Sequence, residues 1–262
     1  MTVAEQKHEE DLQRIRGFRL LDDDFMTKCF DGNVECTELV LRIVLDMSDL
    51  EVLEVHTQYN EKNLQGRSVR LDVYAADSRG RRFNIEIQRN DKGAGVKRAR
   101  YNSSIMDVNI LDVGEEFEKL PETYVIFITE NDVLGRNKPL YPIERYMVLD
   151  DETVSFGDGS HILYVNGAYR SETPLGKLMH DFSCTNPSDM NYKELADRAR
   201  YFKEDKEGIA AMCKAMEDMR YQEREEMAVR MIKKGKLSYE EIAEYAGISV
   251  ERVKELAGKI SA

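Results

Sequence analysis

The chain has 262 residues and carries 38 lysines and arginines against 50 aspartates and glutamates, giving a formal net charge of −12. This length favours one large domain, or one domain with a small appendage. A hydrophobic fraction of 42% excludes a fully disordered chain. The acidic balance argues against non-specific coating of nucleic acid, because proteins that bind in this way are usually basic. A local basic surface on an acidic protein can still attract phosphates.

The sequence predicts neither a membrane span nor a secretory signal. Its apolar runs reach about five residues, whereas a membrane helix needs about 20. No apolar stretch follows a basic start at the N-terminus, so we expect a cytoplasmic protein that does not bind membranes. The four cysteines form no CxxC pair, and we therefore expect reduced thiols and no structural zinc site.

The N-terminal part of the chain predicts helices followed by a strand. Residues 1–24 are polar and end in the acidic run 22–24, which suits the positive end of a helix dipole. A short helix is expected from Phe25, and residues 34–47 have the apolar spacing of a longer amphipathic helix. The β-rich segment 52–58 predicts the first strand.

A hairpin is predicted next. Residues 69–76 and 83–88 alternate between apolar and polar side chains, and the three-residue loop between them ends at Gly80, which fits a left-handed position. This register places Asp72 directly opposite Glu86, both on the face predicted to point outward. Two carboxylates that face each other in this way repel, so their positions favour a cation between them.

The rest of the chain continues the pattern of helix and strand. Its predicted elements are a helix over residues 96–112, a buried strand over 124–129, a loop-rich region over 131–160, a strand over 161–165 and charged helices from about 190.

The C-terminal tail predicts two short helices. Ser238 and Glu241 form a capping box, Gly247 lies in the turn, and Ser249 caps the second helix. This arrangement is similar to a helix-turn-helix. The second helix is neutral in charge, which favours a structural or oligomer-forming role over sequence-specific reading of DNA.

Three segments carry a family resemblance: Arg70-Leu71-Asp72-Val73-Tyr74, Phe83-Asn84-Ile85-Glu86-Ile87-Gln88 and Lys97-Arg98-Ala99-Arg100-Tyr101. With the order of helix, three strands, helix and strand, they resemble the PD-(D/E)XK nuclease superfamily. Within it they are most similar to the Rpn-type branch of recombination-promoting nucleases, also described as nuclease-family transposases. The resemblance covers roughly residues 20–215.

The resemblance implies the fold and the domain organisation. The expected fold is α/β, with a restriction-endonuclease-like αβββαβ core, a mixed sheet and a helical C-terminal extension. The expected divisions are an N-terminal polar segment (1–24), a nuclease-like domain (25–189), a charged helical extension (190–235) and a helix-turn-helix-like tail (236–262).

The resemblance also implies a metal-dependent DNA endonuclease. Asp72, Glu86 and Gln88 would be the catalytic residues. Mg²⁺, or Mn²⁺, would be held by Asp72, Glu86 and the carbonyl of Ile87, with Glu38 on the preceding helix as a further ligand.

The chain departs from the family pattern at two positions. Leu71 stands where the family has a signature proline before the aspartate, and Gln88 replaces the superfamily lysine, a replacement that also marks this branch. A neutral glutamine can hydrogen-bond but carries no charge.

A basic segment spans the second strand of the hairpin and the start of the following helix. Between Arg79 and Arg100 there are eight basic and only two acidic residues. The start of a helix also favours phosphate. We expect contacts with DNA from Arg89, Lys97, Arg98 and Arg100, the last three of which lie at the start of the predicted helix.

Two other functions stay open from the sequence. One is a catalytically decayed DNA-binding or regulatory protein that acts through its basic patch and helical tail, and the other is a partner-binding module that uses the charged helices. The pair His180-Asp181 is not predicted to be a catalytic dyad, because sequence neighbours rarely form one and no GxSxG motif is present. The oligomeric state stays open too. A homo-oligomer is compatible with double-strand cutting, which often requires two active sites.

Overall fold

The computed structural model describes residues 3–61, 68–89, 91–111 and 114–261. The chain forms two compact units, which divide between Asp205 and Lys206. Among the helices of the described residues, none combines the length and the apolar character needed to cross a bilayer.

The first unit contains a mixed sheet of six strands in the order β1-β2-β3-β4-β8-β5. The strands are β1 (Val52–Glu61), β2 (Val69–Asp77), β3 (Arg82–Gln88), β4 (Thr123–Thr129), β5 (Leu140–Ile143), β6 (Tyr146–Val148), β7 (Thr153–Ser155) and β8 (Ser160–Asn166). Neighbours among β1, β2 and β3 are antiparallel, β3, β4 and β8 run parallel, and β5 is antiparallel to β8. Strands β6 and β7 form a separate ribbon.

The helices of the first unit are α1 (Val3–Gly17), α2 (Asp23–Phe30), α3 (Val34–Leu45), α4 (Val96–Val108), α5 (Pro174–Ser183) and α6 (Lys193–Glu204). The order α3-β1-β2-β3-α4-β4 confirms the predicted αβββαβ core and its mixed sheet. Strand β4 is buried at every position, as expected for a central parallel strand. Ala99 and Met106 of α4 pack in one apolar cluster with Val125 and Phe127 of β4, so α4 covers this part of the sheet.

The predicted hairpin register is confirmed. Val73 pairs with Ile85 and Ala75 pairs with Phe83 across β2 and β3, and Gly80 adopts a φ of 83° in the loop. The predicted exposure of the polar face of β3 is wrong. Glu86 is 0% exposed, because α4 lies over this face and its Arg98 side chain contacts the Glu86 carboxylate.

The structure adds elements that the sequence reading did not predict. Helix α1 forms within the segment read only as polar, and β5 to β7 form within the region read as loop-rich. Helix α5 was also missed, although Thr173 caps it by accepting the Gly176 N–H and Pro174 occupies its first turn, both standard helix-start signals. The helix predicted over 34–47 ends at Leu45. The helix predicted over 96–112 ends at Val108, and residue 112 lies outside the described residues.

The second unit consists of α7 (Lys206–Lys234), α8 (Tyr239–Ala246) and α9 (Val250–Ser261). The two short helices, the capping box of Ser238 and Glu241 and the left-handed Gly247 confirm the sequence prediction. Apolar side chains from all three helices form its core, namely Ala228, Ile242, Ala243, Ala246, Val253 and Leu256. The domain boundaries predicted at 24/25, 189/190 and 235/236 stay predictions.

Candidate active site

Asp72 of β2 lies at the point where β2 and β3 stop pairing through their backbones. The last backbone pair of the hairpin is Val73 with Ile85. Beyond it, the Asp72 carboxylate accepts the Ile87 backbone N–H at 2.9 Å and lies 3.5 Å from the Gln88 side-chain nitrogen. A side-chain oxygen therefore takes the place of a backbone acceptor, and this contact fixes the Asp72 carboxylate against the end of β3.

Glu86 of β3 is fully buried beside it. One carboxylate oxygen lies 2.6 Å from a guanidinium nitrogen of Arg98 on α4, and the other accepts a hydrogen bond from Asn84 at 3.1 Å. The Arg98 side chain is 40% exposed, whereas that of Glu86 is 0% exposed. The position of the Glu86 carboxylate is thus set by one neighbour on its own strand and by one cation at the surface.

The electrostatics of these carboxylates favour a cation. Burial raises the pKa of Asp72 to about 8, and the charge of nearby Glu86 adds to this increase. Burial also raises the pKa of Glu86, although Arg98 acts in the opposite direction. Both shifts mean that the ionised forms have too little compensating positive charge, and a bound metal cation would supply it.

An open cleft of 780 Å³ gives access to Asp72, whereas the fully buried Glu86 is not among its lining residues. Its acidic side chains are Asp23, at the start of α2, and Asp72, and its basic side chains are Arg70, Lys97 and Arg98. The charge of Asp23 also contributes to the raised pKa of Asp72. Carboxylates and cations that line the same cleft can together bind a metal ion and a phosphate.

Gln88 lies between the carboxylates and the start of α4. Its side-chain oxygen is 3.5 Å from Arg98, which also donates to the Gly93 carbonyl at 3.2 Å. A Cβ atom on residue 93 would collide with the Gln88 side-chain oxygen, so this close approach requires glycine. The buried Tyr164 hydroxyl donates to the Ala94 carbonyl at 3.0 Å and holds the turn that contains Gly93.

The structure places Glu38 outside this cleft, and its role as a metal ligand stays a prediction. One Glu38 oxygen accepts the Val52 N–H at 2.9 Å, and the other pairs with Arg42 at 2.8 Å, because Glu38 faces the start of β1. The carboxylate near Asp72 is that of Asp23, which the sequence analysis missed. The acidic run 22–24 was the available signal, and it was interpreted only as a match for the helix dipole.

Two of the four residues predicted to contact DNA line the cleft in the structure. Lys97 and Arg98 line the cleft, whereas Arg89 and Arg100 are not among its lining residues. Arg98 is also part of the carboxylate site itself. Arg89 is 57% exposed but lies 2.7 Å from Asp22, so its charge is partly compensated within the protein.

A family model described as PD-(D/E)XK nuclease family transposase matches residues 40–172. The match covers just over half of the chain and includes Asp72, Glu86, Gln88 and Arg98. No curated protein and no solved structure matches the chain significantly.

Proposed function

The chain belongs to the PD-(D/E)XK nuclease family of transposases, and from this premise we propose that it is a metal-dependent DNA endonuclease that acts in the cytoplasm. The observation that carries the proposal is the pair formed by Asp72 and Glu86. Both carboxylates are largely or fully buried and both have raised pKa values. Asp72 lines an open cleft with basic side chains, and Glu86 lies buried beside Asp72. Perturbed carboxylates in a cleft are typical of functional sites.

The donors present fit a hard divalent cation. Asp72, Glu86 and the carbonyl of Ile87 offer only oxygen, and Asp23 offers a further carboxylate in the same cleft. Mg²⁺ and Mn²⁺ prefer oxygen ligands of this kind. Such an ion polarises a phosphate oxygen and lowers the pKa of a bound water.

The side chains of this protein would divide the remaining work between them. The Gln88 amide would orient the attacking water through a hydrogen bond, but it cannot accept its proton. Arg98 lies 3.5 Å from Gln88 and pairs with Glu86. It therefore places a permanent positive charge beside residue 88, the position at which the superfamily has lysine. We infer that Arg98 stabilises the negative charge that develops on the phosphate.

The walls of the cleft would guide DNA to this centre. Arg70 and Lys97 line it together with Arg98, although the chain as a whole is acidic. A cleft lined by cations attracts phosphate locally even when the net charge is unfavourable. We therefore expect binding to DNA to weaken as salt increases.

The decisive experiment is a plasmid-nicking assay with Mg²⁺, Mn²⁺ or EDTA. It compares the wild type with Glu86→Gln, which keeps the volume of a fully buried side chain, whereas alanine would leave a cavity beside Arg98. Glu38→Gln is the matched control, because this carboxylate lies outside the cleft. We expect metal-dependent nicking by the wild type and by Glu38→Gln, and none by Glu86→Gln.

Two outcomes would contradict the proposal. Undiminished nicking by folded Glu86→Gln would overturn the site assignment. A folded wild type that binds DNA but nicks it with neither metal would favour a catalytically decayed DNA-binding protein, with the change from lysine to Gln88 as its first explanation.

A further inference from the structure

A second group of metal-ligating side chains lies at the C-terminal end of α5. His180 and Cys184 are four residues apart, and Asp181 follows His180 directly. One ligand atom from each residue lies within 4.8 Å of the others. None of the three residues lines the cleft that contains Asp72. The group is therefore separate from the proposed nuclease centre.

Two of the distances among these atoms are close to those between ligands of one ion. The Cys184 sulfur and an Asp181 carboxylate oxygen each lie 3.4 Å from the same nitrogen, Nδ1 of His180. In a tetrahedral zinc site, bonds of about 2.3 Å to sulfur and about 2.1 Å to nitrogen and oxygen place nitrogen and sulfur about 3.6 Å apart, and nitrogen and oxygen about 3.4 Å apart. The Asn191 side-chain nitrogen lies 3.2 Å from the same Nδ1, so Asn191 would release this contact when Nδ1 binds an ion.

The buried carboxylate is held in a fixed orientation. Asp181 is 0% exposed, and its two oxygens accept the backbone N–H groups of Asn191 and Tyr192 at 2.8–2.9 Å. The Asn191 side chain donates to it as well, at 2.8 Å. Carboxylates that bind metals are themselves usually hydrogen-bonded in this way.

The other side of the group is open. The His180 side chain is 45% exposed, and Cys184 is half-buried. A hollow of 400 Å³ is lined by His180 and Asn191 together with Arg170 and Lys177. An ion held by three protein ligands here would keep its fourth position accessible to water, which is the arrangement of an open zinc site.

We propose that His180, Asp181 and Cys184 bind Zn²⁺ and leave its fourth position open. Thiolate and imidazole suit a borderline-soft ion, whereas Mg²⁺ prefers an all-oxygen set such as Asp72 and Glu86. The protein thus carries two sites that select different metals. On binding, the Cys184 thiol loses its proton to solvent and becomes the ligand. The proposal does not depend on nuclease activity.

The test is a titration of the full chain with Co²⁺, which reports a thiolate ligand through a sulfur-to-cobalt charge-transfer absorption. We expect one equivalent of Co²⁺ to produce this absorption and Zn²⁺ to abolish it by displacement. The signal should disappear in Cys184→Ser and persist in Cys213→Ser, the matched control at the half-buried cysteine of α7. It should also persist in Glu86→Gln, which impairs only the nuclease centre.

Thermal unfolding gives a second measurement that does not depend on colour. Zn²⁺ should raise the unfolding temperature of the wild type, and a chelator should reverse the increase, because a ligand that binds only the folded state stabilises it. His180→Gln should lose most of this response. The proposal would be overturned if the wild type showed neither the absorption nor the stabilisation, or if the absorption were undiminished in Cys184→Ser. The contact between Cys184 and His180 would then be only a thiol–imidazole hydrogen bond.

Discussion

The buried carboxylates at the two ends of the hairpin formed by β2 and β3 differ in their hydrogen-bond and ion-pair partners. At the loop end, the fully buried Asp77 carboxylate accepts the N–H groups of Arg79 and Arg81 at 3.0 and 2.8 Å, and it pairs with the Arg81 guanidinium at 2.6 Å. At the other end, Asp72 accepts a single short hydrogen bond, at 2.9 Å, and lies near a second carboxylate, Glu86.

Burial alone therefore does not mark a functional carboxylate in this protein. Asp77 is supplied with donors by the turn that it helps to build, so it has a structural role. Among the described residues, Asp72 has no cation as close to it as Arg81 is to Asp77, because the neighbouring Arg98 pairs with Glu86. Asp72 also lines a cleft in which a cation and a phosphate have room to bind. The shortage of positive charge beside an open volume distinguishes the second pair.

The largest expected effect is on catalysis. Asp72→Asn should reduce metal-dependent cleavage by at least about a thousandfold, because the ion contributes several kcal/mol to the transition state and would lose a ligand. Asp23→Asn should cause a smaller loss, and Glu38→Gln should cause none. Single-turnover nicking measures all three. A loss in Glu38→Gln with none in Asp23→Asn would reverse our assignment of the third carboxylate.

The loop end should show its effect in stability. Asp77→Asn leaves the buried Arg81 guanidinium without its counter-charge, which should cost about 3 kcal/mol or more of the free energy of unfolding. Urea unfolding without metal measures the change. Asp72→Asn is the matched substitution on the same strand, and at pH 8 it should not destabilise the protein. Equal destabilisation by both would remove the contrast between the two ends.

The pH dependence of stability should reveal the raised pKa of Asp72 directly. The native state keeps the Asp72 proton up to about pH 8, whereas the unfolded chain loses it near pH 4. Between these values the native state binds more protons, so the free energy of unfolding should fall as pH rises, by at most about 1.4 kcal/mol per pH unit. The loss should be complete above pH 8 and absent below pH 4.

The difference between the wild type and Asp72→Asn reports the titration of Asp72 together with that of Glu86, whose charge acts on it, because groups away from this pair cancel. The measurement is urea unfolding at several pH values without metal. A flat difference curve between pH 4 and pH 8 would show that Asp72 is ionised in the native state.

The sequence could predict the hairpin because its determinants are local. Alternating side chains and the glycine of the loop set the register, and the register brings Asp72 to Glu86. The burial of Glu86 could not be predicted in this way, since it depends on α4 folding back over β3 from the other side of the turn. Strand periodicity describes two faces, but it does not say whether a helix covers the polar one.

The third carboxylate shows the same limit. Asp23 and Glu38 are both acidic residues on helices that precede β1, and nothing local distinguishes them. Their surroundings are decided by how α2 and α3 pack against the sheet. The approach of His180 and Cys184 was missed as well, because helix α5, which places them one turn apart, was not predicted. The contribution of Asn191 to that site required the tertiary structure.

A smaller effect is expected at Gly93. Gly93→Ala should displace the Gln88 side chain, whose oxygen occupies the space of the new Cβ, and leave the fold intact because the far end of a side chain can move. We expect cleavage to fall about tenfold, equivalent to about 1.4 kcal/mol. The double variant with Gln88→Ala should be no worse than Gln88→Ala alone. Additive losses would show that Gly93 acts independently of Gln88.

The smallest expected effect separates two exposed basic residues. Lys97 lines the cleft, whereas Arg89 lies 2.7 Å from Asp22 and 3.4 Å from Glu130. Lys97→Ala should reduce the slope of log affinity for DNA against log salt by about one, because one phosphate contact is lost. Arg89→Ala should change the slope less, since two carboxylates already compensate its charge.

The slopes are measured with EDTA in the Glu86→Gln background, so that DNA is bound without being cut. The two substitutions remove equal formal charge, and each serves as the control for the other. If Arg89→Ala lowered the slope as much as Lys97→Ala, DNA would compete successfully with Asp22 and Glu130 for Arg89. The path of the phosphates would then extend beyond the cleft, along the end of β3.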